Sequence, residues 1–113
     1  MLIVDDHPAF RSAARALLGA AGFEVVGEAV DGASALEAAS ELRPEIVLLD
    51  VQLPDLDGFA VAERLSEDGP RPTIVLTSSR SIATLRWRLD SNPAWSFIPK
   101  SDLSAEALAA VVG

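Results

Sequence analysis

The chain has 113 residues, nine Lys or Arg against seventeen Asp or Glu for a net charge of −8, and half of it is hydrophobic. That length fits one domain with enough apolar surface to bury a core, and the acidity argues against phosphate neutralisation and so against nucleic-acid binding by this domain. With no cysteine and a single histidine, His7, the chain lacks the means for disulfides, thiolate zinc sites, cysteine nucleophiles, multi-histidine metal centres or a Ser-His-Asp hydrolase.

Leu2-Ile3-Val4 is the first predicted strand. Asp5-Asp6 follows it at once and no basic stretch precedes it, so the N-terminus does not read as a signal peptide. No apolar run approaches the roughly 18 residues of a membrane span, and the expected location is cytoplasmic. Phe10, Ala13, Ala14, Leu17 and Leu18 recur at spacings of three and four and predict a first helix. Pro8 sits in its opening turn and Gly22 follows its end. Val25-Val26 with its neighbours predicts a second strand. Ala35, Leu36, Ala39 and Leu42 predict a second helix with Asp31 as N-cap. Ile46-Val47-Leu48-Leu49 is a third strand; Phe59, Ala62 and Leu65 mark a third helix capped by Asp57. Ile74-Val75-Leu76 is a fourth strand, and Ile82, Leu85 and Leu89 mark a fourth helix. Phe97-Ile98 is a weaker fifth strand, and Leu108, Val111 and Val112 mark a short last helix with cap candidates at 101–104. Pro44, Pro54, Pro72 and Pro99 fall at strand or loop edges.

Apolar runs without alternation suit a parallel sheet covered on both faces. Five strand–helix units imply an α/β fold: a doubly wound five-stranded parallel sheet with right-handed crossovers and order 2-1-3-4-5. No linker or repeat divides residues 1–113. Both ends are short, and the expectation is a trimmed or naturally incomplete domain.

In such a sheet a ligand binds at the carboxyl ends of the strands, at the switch point between strands 1 and 3. Asp5-Asp6, Asp50, Thr77-Ser78 and Lys100 stand at those ends. Three converging carboxylates repel unless a cation sits among them, and a hard divalent ion such as Mg²⁺ suits oxygen ligands. The competing reading is that these acids cap the following helices. Lys100 is the only lysine; alone it reads as a surface residue, but beside three carboxylates it reads as a point charge for an anion. Thr77 alone reads as a strand-end hydroxyl.

These residues carry a resemblance. Ile3-Val4-Asp5-Asp6-His7, Leu48-Leu49-Asp50-Val51-Gln52-Leu53-Pro54-Asp55-Leu56-Asp57-Gly58, Ile74-Val75-Leu76-Thr77-Ser78 and Phe97-Ile98-Pro99-Lys100-Ser101 occur in order and correctly spaced. The chain resembles the receiver domain of bacterial two-component response regulators, with a flavodoxin-like fold. Asp-Asp-His and Pro-Lys-Ser look most like the LuxR-type branch, where a helix-turn-helix DNA-binding domain usually follows. The resemblance implies that Asp50 is the phosphoryl acceptor. Asp6, Asp50 and the Gln52 backbone carbonyl would hold Mg²⁺, with Asp5 acting mainly through water. Lys100 and Thr77 would contact phosphoryl oxygens, with the Ser78 N–H nearby, and Phe97 would be the aromatic switch. The donor would be a phosphohistidine on a sensor histidine kinase. Gln52 and Ser79, two residues after Asp50 and Thr77, are expected to flank an attacking water and tune self-dephosphorylation.

Residues 91–96 depart from the family, with Pro93 and Trp95 where small residues are usual. Arg80, Arg86 and Arg88 put positive charge on the fourth predicted helix, with Trp87 between the last two. One reading is a solvated outer face with Trp87 tucked into the core. The sharper one makes the fourth helix, fifth strand and last helix a partner face including Arg86, Trp87, Arg88 and Trp95, since Trp and Arg are enriched at interface hot spots. The acidic remainder of a second copy suits that face, so a homodimer is one candidate assembly. Three rivals stand beside the switch: a phosphorylation-independent interaction module, which has no need of the intact five-residue set; a Mg²⁺-dependent phosphohydrolase, which commonly carries an acid where Gln52 stands; and a flavin carrier, which needs a phosphate loop that the first strand lacks.

Overall fold

Strands β1 (Leu2–Val4), β3 (Ile46–Asp50) and β4 (Thr73–Ser78) are buried on both faces, as their unbroken apolar runs require. The computed structural model describes residues 1–67, 72–79 and 95–112. β2 (Gly27–Ala29) and β5 (Ser96–Pro99) flank these three in a parallel sheet of order β2-β1-β3-β4-β5, the order expected from the sequence. The described helices are α1 (Pro8–Ala20), α2 (Gly32–Leu42), α3 (Gly58–Ser66) and the C-terminal α4 (Ala105–Val112), and a 3₁₀ turn spans Lys100–Asp102. The fourth predicted helix lies outside the described residues.

Strand alternation divides the core in two. Leu2, Val4, Val47 and Leu49 face one way, toward Ala35, Phe59 and Ala62 of α2 and α3. Ile3, Leu48, Val75 and Ile98 face the other, toward Ala14 and Leu18 of α1 and Leu108 of α4. Each fully buried Leu or Ile contributes roughly 2 kcal/mol to holding these layers together.

The second strand is displaced from its predicted centre. Its regular register begins at Gly27, opposite Leu2, and Val26 is exposed. The Val26 N–H donates to the Met1 carbonyl at 2.9 Å, so pairing starts at Val26, before the ladder becomes regular. A Cβ on Gly27 would lie 2.7 Å from Leu42 Cδ1, so glycine admits the end of α2 there. The helical stripes are also narrower than their spacing suggests. Ala13, Leu17, Leu42 and Val111 are exposed, whereas Ala14, Leu18 and Leu108 are buried. Adjacent apolar pairs such as Leu17-Leu18 straddle the edge of a buried stripe, and one member must turn outward.

Three expected caps form. Asp31 accepts from the Ser34 N–H at 2.8 Å while Ser34 Oγ takes the Asp31 N–H, a reciprocal capping box. Asp57 accepts from Phe59 N–H, and Ser104 from Ala107 N–H.

Candidate functional site

The register brings the predicted residues together. Val4 pairs with Leu49, so Asp5 and Asp50 leave adjacent strands side by side, and Asp50 itself pairs with Thr77. Asp5, Asp50, Thr77 and Ser78 are the buried polar or charged residues among those described. Lys100, just past β5, reaches across: its Nζ lies 2.6 Å from Asp5 Oδ2 and 2.9 Å from Asp50 Oδ2. Its ammonium also sits 4.5 Å from the centroid of the Phe10 ring, a cation–π contact that adds to its fixation.

The remaining carboxylate oxygens have defined partners. Asp5 Oδ1 accepts from the His7 N–H at 2.8 Å and lies 2.9 Å from the His7 Nδ1. The same Nδ1 is 3.1 Å from Asp6 Oδ1, and Asp6 is exposed. Asp50 Oδ1 accepts from the Gln52 N–H at 2.9 Å. Arg11 donates to the Asp5 carbonyl at 2.7 Å. Thr77 Oγ1 is buried and has no hydrogen-bond partner among the described residues. An unpaired buried hydroxyl costs roughly 1–3 kcal/mol, which marks it as a donor or acceptor for a ligand.

The backbone after Asp50 is held closely. Val51 N–H donates to the Thr77 carbonyl at 3.0 Å, and Gly58 N–H to the Val51 carbonyl at 2.9 Å. A Cβ on Gly58 would stand 2.3 Å from the Asp50 carbonyl oxygen and 2.6 Å from Val51 Cα. Only glycine lets α3 start so near the Asp50 backbone.

Burial pushes both strand-end carboxyls up, but the outcomes differ. At Asp50 burial prevails over the Gln52 N–H and Lys100, and its pKa rises. At Asp5 burial is outweighed by Lys100 and by the backbone and ring of His7, and its pKa falls. Burial would lower Lys100, but its two carboxylate partners outweigh that and hold it above its usual value. One ammonium therefore faces two buried carboxylates, with the exposed Asp6 carboxylate beside them. The helix-capping explanation for Asp5 and Asp6 fails, because the N-cap of α1 is His7 and no side chain caps it. Ligand atoms of Asp5, Asp6, His7 and Asp50 all lie within 4.8 Å of one another, close enough for one ion. The surplus negative charge and mostly oxygen donors fit a hard divalent cation.

Not every expected residue joins the pocket. The side chains of Gln52 and Ser79 are exposed. Phe97 is half-buried and packs against the core on the α2 and α3 side. Trp95 is corrected: it is 9% exposed, lies 6.1 Å from the Phe59 ring, and donates through Nε1 to Ser66 Oγ at 3.4 Å. It is a core residue rather than part of an open partner face, because its bulk fills the space between α3 and the start of β5. Arg86, Trp87 and Arg88 lie outside the described residues. Phe10 and His7 are the contributions that sequence reasoning missed. Phe10 carried only its place in the α1 stripe, and His7 only its adjacency to Asp5-Asp6.

A doubly wound 2-1-3-4-5 sheet with an acid-and-lysine pocket at its switch point defines a receiver-type signalling domain. The sequence matches the response regulator receiver domain over residues 1–112, and the chain belongs to that family, the receiver domains of two-component response regulators. It is 42% identical over 95 residues to the "virulence factors putative positive transcription regulator BvgA" from Bordetella pertussis, covering 83% of this chain and 46% of that protein. It is 37% identical over 82 residues to a protein-glutamate methylesterase/protein-glutamine glutaminase from Hahella chejuensis, covering 73% of this chain and 24% of that protein. Its fold is similar to a LuxR-family two-component response regulator from Aurantimonas sp. SI85-9A1, with a TM-score of 0.85 and 27% identity over 97% of this chain and 79% of that one. The chain thus spans about half, or less, of these curated relatives. Among the described residues no helix is long and apolar enough to cross a membrane.

Proposed function

We propose that this domain is a phosphorylation switch in which Asp50 accepts a phosphoryl group from a phosphohistidine on a partner sensor histidine kinase. The observation that carries the reading is the Lys100 bridge between the buried Asp5 and Asp50 carboxylates. Asp50 attacks phosphorus through a carboxylate oxygen, the phosphorus–nitrogen bond breaks, and the leaving imidazole takes up a proton. Asp6, Asp50 and the Gln52 carbonyl would hold Mg²⁺, with Asp5 acting through water. A bound Mg²⁺ supplies positive charge to the phosphoryl oxygens during transfer. Lys100 stabilises a second oxygen, and the free Thr77 hydroxyl donates to a third.

The product adds about −1.5 to −2 charges to the pocket. Lys100 then has a stronger partner than either resting carboxylate, and Thr77 gains the partner it lacks. That differential binding biases the β4–β5 side of the domain, with Phe97 turning inward as Thr77 moves. The output is a change at the face formed by the fourth predicted helix, β5 and α4, and transcription is the process controlled, as BvgA suggests. A homodimer through that face is the proposed assembly, and the cytoplasm the proposed location. Gln52 and Ser79 set the rate of phosphate loss. The domain's only chemistry is its own phosphorylation and dephosphorylation; the methylesterase activity in a relative's name belongs to a protein of which this chain matches about a quarter.

Incubation with Mg²⁺ and a small acyl phosphate, read by intact mass, tests the reading. One phosphoryl adduct is expected on the parent chain and none on Asp50→Asn. No adduct from any donor would favour a phosphorylation-independent interaction module.

A further inference from the structure

We propose that His7 is a fourth donor to the cation site, making it a mixed nitrogen–oxygen site that favours borderline first-row divalent ions over Mg²⁺ more strongly than carboxylates alone would. The inference rests on the reading of the pocket as a cation site. His7 follows Asp5-Asp6 directly, and its backbone N–H anchors it to Asp5 Oδ1 at 2.8 Å. The imidazole lies against the two acids. Nδ1 then stands 2.9 Å from Asp5 Oδ1 and 3.1 Å from Asp6 Oδ1.

The 3.1 Å separation from Asp6 can serve a metal as well as a shared proton. On an octahedral ion with bonds of about 2.1 Å, neighbouring ligand atoms stand about 3 Å apart. A neutral imidazole nitrogen and the Asp6 oxygen at 3.1 Å suit adjacent corners of such a shell, while Asp5, which acts through water, holds the ring beside them. Asp50 completes the group, since all four residues offer ligand atoms within 4.8 Å of one another. The His7 side chain is 66% exposed, so it can exchange its hydrogen bonds for a metal bond without disturbing the core. Imidazole suits Zn²⁺, Ni²⁺ and Co²⁺, whereas Mg²⁺ prefers carboxylate, carbonyl and water. The nitrogen therefore gives the pocket a selectivity that its oxygens alone do not have.

Two measurements on the full chain test this. The first is calorimetric titration of Ni²⁺ and Mg²⁺ into the parent chain and His7→Gln, which keeps the backbone N–H anchor. Ni²⁺ affinity should fall roughly tenfold or more in the variant while Mg²⁺ affinity changes less than about threefold. The second uses the fact that His7 is the only histidine. Its ring nitrogens give one set of ¹⁵N resonances, and Zn²⁺ should shift the Nδ1 signal to a metal-bound position that Mg²⁺ does not produce. Intact Mg²⁺ binding with an unchanged Ni²⁺ to Mg²⁺ preference in His7→Gln, or Zn²⁺ binding that leaves the imidazole resonances in place, overturns the assignment of His7 alone. Failure of both metals to bind overturns the cation site and the His7 assignment together.

Discussion

Two groups of aspartates, one at helix starts and one at strand ends, meet opposite fates. Asp31, Asp55 and Asp57 spend their oxygens on backbone N–H groups at the starts of α2 and α3. Asp55 takes the Gly32 and Ala33 N–H groups at 2.7 and 3.0 Å, joining the loop after β3 to α2. Helix N-termini supply both donors and a favourable dipole, so these carboxylates are matched where they stand. Asp5, Asp6 and Asp50 gather instead at the carboxyl ends of β1 and β3, where Lys100 pairs with Asp5 and Asp50. The first group builds the frame; the second holds unmatched charge, and unmatched charge is what a cation or a phosphoryl group can use.

Removing the Lys100 ammonium should have the largest effect on stability. Lys100→Met leaves two buried carboxylates unpaired and is expected to cost about 4 kcal/mol in urea unfolding, with part of the loss restored by added Mg²⁺. If stability is unchanged, the bridge is not holding the pocket. Where the frame meets the pocket, Gly58→Ala forces a Cβ against the Asp50 carbonyl and is expected to cost about 3 kcal/mol. It should also weaken phosphorylation, which a frame-only defect would leave intact. Asp31→Ala removes a cap and should cost about 1 kcal/mol with no change in Mg²⁺ affinity or phosphorylation.

The smallest effect is a pH dependence. The Gly32 and Ala33 N–H groups hold the Asp55 carboxyl below its usual range. Its contribution is therefore fully present above the unfolded value, about 3.9, and is lost as pH falls through the lower folded value. The difference in urea midpoint between the parent chain and Asp55→Asn should be visible near neutral pH and shrink in acid. A gap that widens in acid would contradict the assignment.

Much of this arrangement was legible in the residues. Unbroken runs at Leu2-Ile3-Val4 and Ile46 to Leu49 suit strands covered on both faces, and in a doubly wound sheet the residues after them sit at the switch point. Asp31 and Asp57 were readable as caps because the apolar period starts just after them. Other features depend on tertiary packing. Whether Leu17 or Leu18 faces the core turns on the rotation of α1, which an adjacent apolar pair does not fix. Trp95 has the residue type of an interface anchor, and only its contact with Phe59 and Ser66 identifies it as core. The two roles of Phe10, packing on the core and lying against Lys100, share one hydrophobic signal, and sequence spacing sees only the first.

The comparison rests on whether cation binding follows the unmatched carboxylates. Calorimetric titration of Mg²⁺ into the parent chain, Asp6→Asn, Asp50→Asn, Asp31→Ala and Asp55→Ala decides it. A single site is expected in the parent, lost in both pocket variants and retained in both frame variants. Binding that survives Asp6→Asn and Asp50→Asn, or that disappears with Asp31 or Asp55, would contradict the account.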